Sequence, residues 1–326
     1  MMSSRIQLIL MLRSIVLLGA LLCSGTAALA GGAESSAVSG PFPVVRVQSV
    51  TLQRGDLADV YAPAVPSVLA DRFADRFPIV AVLQGGFVDK VHYEHLGQGL
   101  ARLGFVTVIP NRLRTLPGLP VAAPLPDVNL ITDVLAAMSA LDVDSESTLF
   151  QIIDTARMGV VGHSLGGAVA LYGVAGLCVD QICDGSFERP AALQAAAVYG
   201  TNLVGSDSSI LDLETSAAPV ALFQGTVDGV STPAEAAATY PTLEAPRALI
   251  TIDGANHFGI CDENNPPGAL PDTSTPTLSQ EEAVSHVTRW IGVWLHAQLS
   301  NSRAARTLIY DVGRSLDGVV RVELAD

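Results

Sequence analysis

Five short apolar runs constrain this chain more than any other feature: PIVAVLQ (Pro78–Gln84), FVTVIP (Phe105–Pro110), MGVVG (Met158–Gly162), PVALFQ (Pro219–Gln224) and RALITI (Arg247–Ile252). Each is too short for a buried helix and too uniformly apolar for a strand with one wet face, so each reads as a strand covered on both sides. Segments of helical length lie between and after them, at Tyr93–Leu103, about Val128–Leu141, the stretch opened by Ser164, Pro233–Tyr240 and Leu278–Leu299. A further strand is expected near Ala195–Tyr199, and a hairpin from Val44–Leu52 and Asp56–Tyr61. Alternation of this kind predicts an α/β domain, with a mostly parallel sheet and helices on both faces. No repeat or domain-sized linker interrupts it, so residues 43–326 read as one domain with a C-terminal extension from about 300. In that extension, TLIYDVGRSLDGVVRVELAD is expected to form two short strands around a turn at Ser315-Leu316-Asp317-Gly318.

The first thirty residues read differently. Arg5 and Arg13 precede an apolar stretch from Ile15 to Leu22, and Ala28-Leu29-Ala30 supplies a small-residue cleavage site, the pattern of a secretory signal peptide over residues 1–30. Cleavage after Ala30 implies a secreted or periplasmic protein. A membrane anchor is the alternative, but Arg13 splits the apolar run and the uninterrupted piece falls short of the ~20 residues that span a bilayer. Lipid attachment at Cys23 is a lesser alternative, because Leu22 is bulky where a small residue is wanted. No stable membrane span is expected in the mature chain. Residues 31–42, GGAESSAVSGPF, are small and polar, as in a flexible leader.

Charge excludes one class of partner. With a net charge of −14, a single lysine (Lys90) and scattered arginines, the chain offers no basic patch for a phosphate backbone, and no nucleic-acid partner is expected. No Cys/His spacing resembles a zinc site, and neither a metal nor a cofactor is expected. Cys178 and Cys183 lie close together in GLCVDQIC, so an oxidising compartment favours a local disulfide, a buried reduced pair being the alternative. Cys261 is left over.

The chemistry centres on Gly162-His163-Ser164-Leu165-Gly166, which fits G-x-S-x-G. That pattern alone proves little in a chain with 29 glycines, but an expected strand precedes it and an expected helix follows, the setting of a nucleophile elbow. A serine hydroxyl is a poor nucleophile until a base takes its proton, so a histidine and an orienting acid are required in the order Ser, Asp/Glu, His. His257 follows the last core strand in ITIDGANHFGI and is the expected base. His92 and His95 precede the serine, His286 and His296 lie on the terminal helix, and His163 is fixed beside the serine. Asp228 in LFQGTVDGVS is the expected acid, with Asp253 as competitor at the end of its own strand. Acyl transfer also needs N–H donors for an oxyanion. Leu165 supplies one, and the loop VLQGGFVDK supplies the other, from Phe87 or alternatively Gly86.

Together LQGGF, LARLGFVTVIPN, the run Asp154–Val160 leading into GHSLGG, QGTVDG, and GANHFG followed by ENNPPGA resemble the α/β-hydrolase superfamily. Within it, they resemble the chlorophyllase-like, dienelactone-hydrolase-like group that includes platelet-activating-factor acetylhydrolases and cutinase-type polyester hydrolases. The resemblance covers roughly Val44–Leu299 and implies an α/β-hydrolase fold. It also implies a Ser164–Asp228–His257 triad, oxyanion donors at Phe87 and Leu165, and cleavage of a small-molecule or lipid-like carboxylic ester. Acyl transfer on the same triad and a polyester- or lipid-directed activity are alternatives, with a non-catalytic binding protein further away.

Two departures from the family stand out. Gln84 occupies the place where many relatives have a histidine, and YGTNLVG (Tyr199–Gly205) lacks the tryptophan that polyester hydrolases place there, since Trp290 and Trp294 both lie on the terminal helix. The short Tyr199–Pro219 connection leaves no room for a large cap. Asn111–Pro126 and Gly176–Pro190 are expected to wall the site.

Overall fold

The computed structural model describes residues 38, 40–43, 45–64, 76–115, 121–215, 217–300, 302–312 and 317–325. Residues 1–30, expected to be a signal peptide, and most of the expected leader lie outside the described residues. Strands β1 (Val45–Thr51), β2 (Leu57–Pro63), β3 (Phe77–Leu83), β4 (Val106–Asn111), β7 (Ile153–His163), β8 (Leu193–Tyr199), β9 (Val220–Gly225), β10 (Arg247–Ile252) and β11 (Val320–Ala325) form one nine-stranded sheet. Their order is β1-β2-β4-β3-β7-β8-β9-β10-β11. The stretch from β4 to β10 pairs in parallel throughout, while β1, β2 and β11 are antiparallel additions at the edges. Two small strands, β5 (Leu113–Arg114) and β6 (Ala123–Pro124), pair with each other outside it.

Burial explains why the central strands read as apolar runs: all seven residues of β3 are buried. Ile79, Ala81 and Leu83 face a cluster completed by Val134 and Met138 of helix α2 (Asn129–Val143) and Val169 of α3 (Leu165–Val174). Val80 and Val82 face the opposite cluster, with Leu96 and Leu100 of α1 (Glu94–Arg102) and Trp290 and Trp294 of α5 (Gln280–Leu299). Helices therefore cover both faces, and each fully buried aliphatic side chain contributes about 2 kcal/mol of transfer free energy. The indoles serve this layer, Trp294 Nε1–H donating to the Ala196 carbonyl at 2.9 Å. Ser279 and Glu282 close a capping box that starts α5, and Thr232 with Glu235 does the same for α4 (Pro233–Thr239).

The chain leaves β3 toward β4 on one side and enters β7 on the other, so the strand order reverses between β3 and β7. A crevice opens at the carboxyl ends of strands at such a reversal, and the loops after β3 and β7 meet there. The connection from β8 to β9 holds no helix among its described residues. Among the described residues no helix is long and apolar enough to cross a membrane.

Two expectations are corrected. Packing begins before residue 43: Val38 is buried beside Gly99, and the Phe42 ring meets Phe77 edge-on at 5.0 Å, so the end of the expected leader belongs to the domain. In the C-terminal extension, the first expected strand is helical. Ser302 caps α6 (Arg303–Thr307), a π-helical turn runs over Leu308–Val312, and Ile309 is buried against α5. The second is a strand, β11, which extends the sheet beside β10. Asp317 fixes its approach, accepting from Trp290 Nε1 at 2.9 Å and His286 Nδ1 at 2.8 Å. At the amino ends of the parallel strands, a hollow of about 630 Å³ is lined by Phe42, Phe77, Leu103, His296, Ala305 and Leu308 among others.

Buried imidazoles make the fold acid-sensitive. Burial lowers the pKa of His163 and of His296, whose Nε2–H donates to the Leu103 carbonyl at 2.7 Å. The folded state then resists a proton that the unfolded state accepts near pH 6.5, so this stability is complete above pH 6.5 and erodes below it. Each histidine supplies a slope of at most about 1.4 kcal/mol per pH unit. Scanning calorimetry is expected to give a Tm that falls below pH 6.5, with a shallower fall in His296→Gln; equal slopes in the two proteins would overturn this account.

Candidate active site

Ser164 follows the last residue of β7 directly and occupies the N-cap position of α3, its side chain making no capping bond. Its backbone sits at φ 51°, ψ −118°, a strained conformation for a residue with a Cβ. Two contacts hold it there: Ser164 N–H donates to the Tyr199 carbonyl at 2.9 Å, and Thr201 Oγ1–H donates to the Ser164 carbonyl at 2.7 Å. The sharp turn presents the side chain at the carboxyl end of the sheet.

Asp228 and His257 come from the loops after β9 and β10, neighbouring parallel strands, and both are buried. His257 Nδ1 lies 2.9 Å from Asp228 Oδ2 and 3.1 Å from Oδ1, so Nδ1–H is the donor and Nε2 is the ring nitrogen free to act as a base. The carboxylate is fixed in turn by the N–H groups of Val230 (2.9 Å) and Ser231 (2.8 Å) on Oδ1. Asp253 takes no part: exposed, it accepts from Thr226 Oγ1 at 3.0 Å and faces Arg321. His92 pairs with Glu263 and His286 with Asp317, away from Ser164.

Ser164, Leu165, His257, Gly85 and Gly86 line one cavity of about 80 Å³. The two expected donors of the loop after β3 differ in their bonding. Phe87, at φ 66°, turns its N–H to the Pro124 carbonyl at 2.7 Å and so has no free donor. Gly86 N–H donates to no protein group among the described residues. Its backbone lies against Leu165, whose Cδ2 a Cβ on Gly86 would approach to 3.3 Å. Leu165 N–H, in the first turn of α3, has no intrahelical acceptor.

The cavity wall also departs from expectation. It is made by Val230, Phe258, Ala269 and Leu270 with Phe87 and Val88. Of the two loops expected there, the stretch 111–126 reaches the edge through Leu125, which lies beside Gly86, and its residues 116–120 lie outside the described residues. Residues 176–190 instead dock on the start of α2, where Val128 N–H donates to the Ile182 carbonyl at 2.9 Å, and on Arg114, which donates to the Gln181 carbonyl. Cys178 and Cys183 are joined there as a disulfide with a Cα–Cα separation of 5.2 Å, and Cys261 is a buried free thiol.

Sequence reasoning missed Asp272. Its buried carboxylate accepts from His257 N–H (3.0 Å), Gly229 N–H (3.2 Å) and Ser274 N–H (2.8 Å), tying the acid loop to the base loop. Nothing local in PDTSTP marks that role. Gln84 is buried with neither amide atom bonded to a protein group, so it does not support the glycine loop. Compared with known proteins, the chain matches no family model and no curated protein.

Proposed function

We propose that this protein is an exported serine hydrolase of the α/β-hydrolase class that cleaves carboxylic esters through an acyl-enzyme intermediate. The observation that carries the reading is Ser164 in its strained strand-to-helix turn, sharing one small cavity with His257, whose Nδ1 is held by Asp228. His257 Nε2 takes the hydroxyl proton as Ser164 Oγ bonds to the ester carbonyl carbon. The carbonyl π electrons move to oxygen, which accepts from Leu165 and Gly86 N–H. Collapse of this tetrahedral adduct breaks the carbon–alkoxy bond, and the imidazolium gives its proton to the departing alcohol. Water then repeats the sequence on the acyl-serine, His257 accepting its proton and returning it to Ser164.

Asp228 keeps the imidazole in the tautomer with Nε2 unprotonated and stabilises the imidazolium that forms. A cavity of about 80 Å³ with Val230, Phe258 and Leu270 on its walls suits a compact apolar acyl group. Export rests on the N-terminal pattern, and the Cys178–Cys183 disulfide agrees with an oxidising compartment. A fluorophosphonate probe is expected to add one phosphonyl group per chain, located by peptide mass spectrometry on Ser164, and to stop hydrolysis of p-nitrophenyl acetate in proportion. Turnover that survives full labelling, or a label elsewhere, would sink the assignment.

A further inference from the structure

The loop after β3, the elbow after β7 and the loop after β10 carry the second oxyanion donor, Ser164 and His257, and none is bonded to another through these groups. Two fully buried side chains close the gaps. Gly85 N–H donates to Tyr93 Oη at 2.8 Å, and Tyr93 Oη lies 2.8 Å from His163 Nδ1. His163 Nε2 lies 3.0 Å from the His257 carbonyl oxygen. That oxygen can only accept, so Nε2 carries the imidazole proton. Nδ1 of the neutral ring is then an acceptor, and the Tyr93 hydroxyl donates to it. Every proton in the chain has one direction: Gly85 N–H to Tyr93, Tyr93 O–H to His163, His163 N–H to His257.

From this arrangement we infer that Tyr93 and His163 are positioning residues that set the spacing between the oxyanion loop and the His257 loop. The inference rests on the serine-hydrolase reading above. Gly85 is adapted to it, since a Cβ there would fall 2.7 Å from His163 Nδ1. Tyr93 is stationed from the other side: Asp262, five residues after His257, accepts from Glu94 N–H at 2.7 Å and His95 N–H at 3.0 Å, and its own N–H donates to the His92 carbonyl at 2.8 Å. The connections thus close a ring through Gly85, Tyr93, His163, His257 and Asp262. With Gly85 N–H anchored to a buried hydroxyl, the next peptide N–H, that of Gly86, belongs to a residue that lines the cavity and donates to no protein group among the described residues.

Tyr93→Phe keeps the ring and deletes the one oxygen that both accepts from Gly85 and donates to His163. With active sites counted by fluorophosphonate titration, kcat for p-nitrophenyl acetate is expected to fall about 10- to 100-fold with KM within about twofold, the range for a weakened oxyanion donor. The Ki of a trifluoromethyl ketone, which forms the tetrahedral adduct, is expected to rise in parallel. His163→Leu is expected to lose more than His163→Gln, because glutamine retains a donor for the His257 carbonyl; this pair also serves if Tyr93→Phe does not fold. A merely structural role would lower Tm while leaving kcat per titrated site unchanged, and that result in either series would overturn the inference. Wild-type protein that neither labels at Ser164 nor turns over ester would instead remove the serine-hydrolase reading, and the inference with it.

Discussion

Replacing Ser164 with alanine is expected to lower kcat for p-nitrophenyl acetate by about 10⁴- to 10⁶-fold, the loss typical of removing the nucleophile from such a group of residues. The fold should survive, because the contacts that hold the turn use the Ser164 main chain: its N–H donates to Tyr199 and its carbonyl accepts from Thr201. A small side chain also remains at the strained position, so the elbow keeps its shape. Far-UV circular dichroism and Tm are therefore expected to match the wild type while labelling and turnover vanish together. Turnover within about tenfold of wild type would show that another group attacks the ester and would end the acyl-serine mechanism.

Gly166→Ala should fail for the opposite reason, through the fold rather than the chemistry. A Cβ at this position would lie 2.1 Å from the Leu83 carbonyl oxygen and 2.5 Å from that of Gln84. Both obstacles are backbone at the end of β3, between β4 and β7 in the middle of the sheet, so no rotamer change relieves the clash. Either α3 lifts from the sheet or the β3 loop moves, and each carries a proposed oxyanion donor with it. Destabilisation of about 3 kcal/mol or more is expected by urea titration, together with loss of turnover. A variant within about 0.5 kcal/mol of wild type would mean that the elbow is not packed on β3 as closely as described.

How much of this was legible in the sequence depends on how local the physics is. The strands of the parallel stretch are covered on both faces, and that condition prints an apolar run for every one of them. The Asp228–His257 pair could be found because each side chain sits just past a readable strand, in the chain order that the chemistry requires. Residues whose importance comes from distant partners were not legible. Tyr93 looks like a helix-start aromatic until the fold brings Gly85 and His163 to its hydroxyl, and Asp272 looks like a loop aspartate until its carboxylate meets His257 and Gly229. Nor could the sequence show that Phe87, at φ 66°, gives its N–H to the Pro124 carbonyl while Gly86 N–H keeps no protein acceptor among the described residues. The run after Thr307 failed because β-branched and aromatic residues there dock on α5 as a helix, and tertiary contact outweighed local strand preference.

The direction of the edge strands has a consequence. Val45 pairs with Pro63 and Ala325 with Arg247, so the first strand begins and the last strand ends at the amino edge of the parallel strands, across the sheet from Ser164. A segment leading directly into Val45 or out of Ala325 meets the sheet on the side away from Ser164. Both edge strands thus leave the carboxyl-end crevice clear of the points where the outermost strands begin and finish.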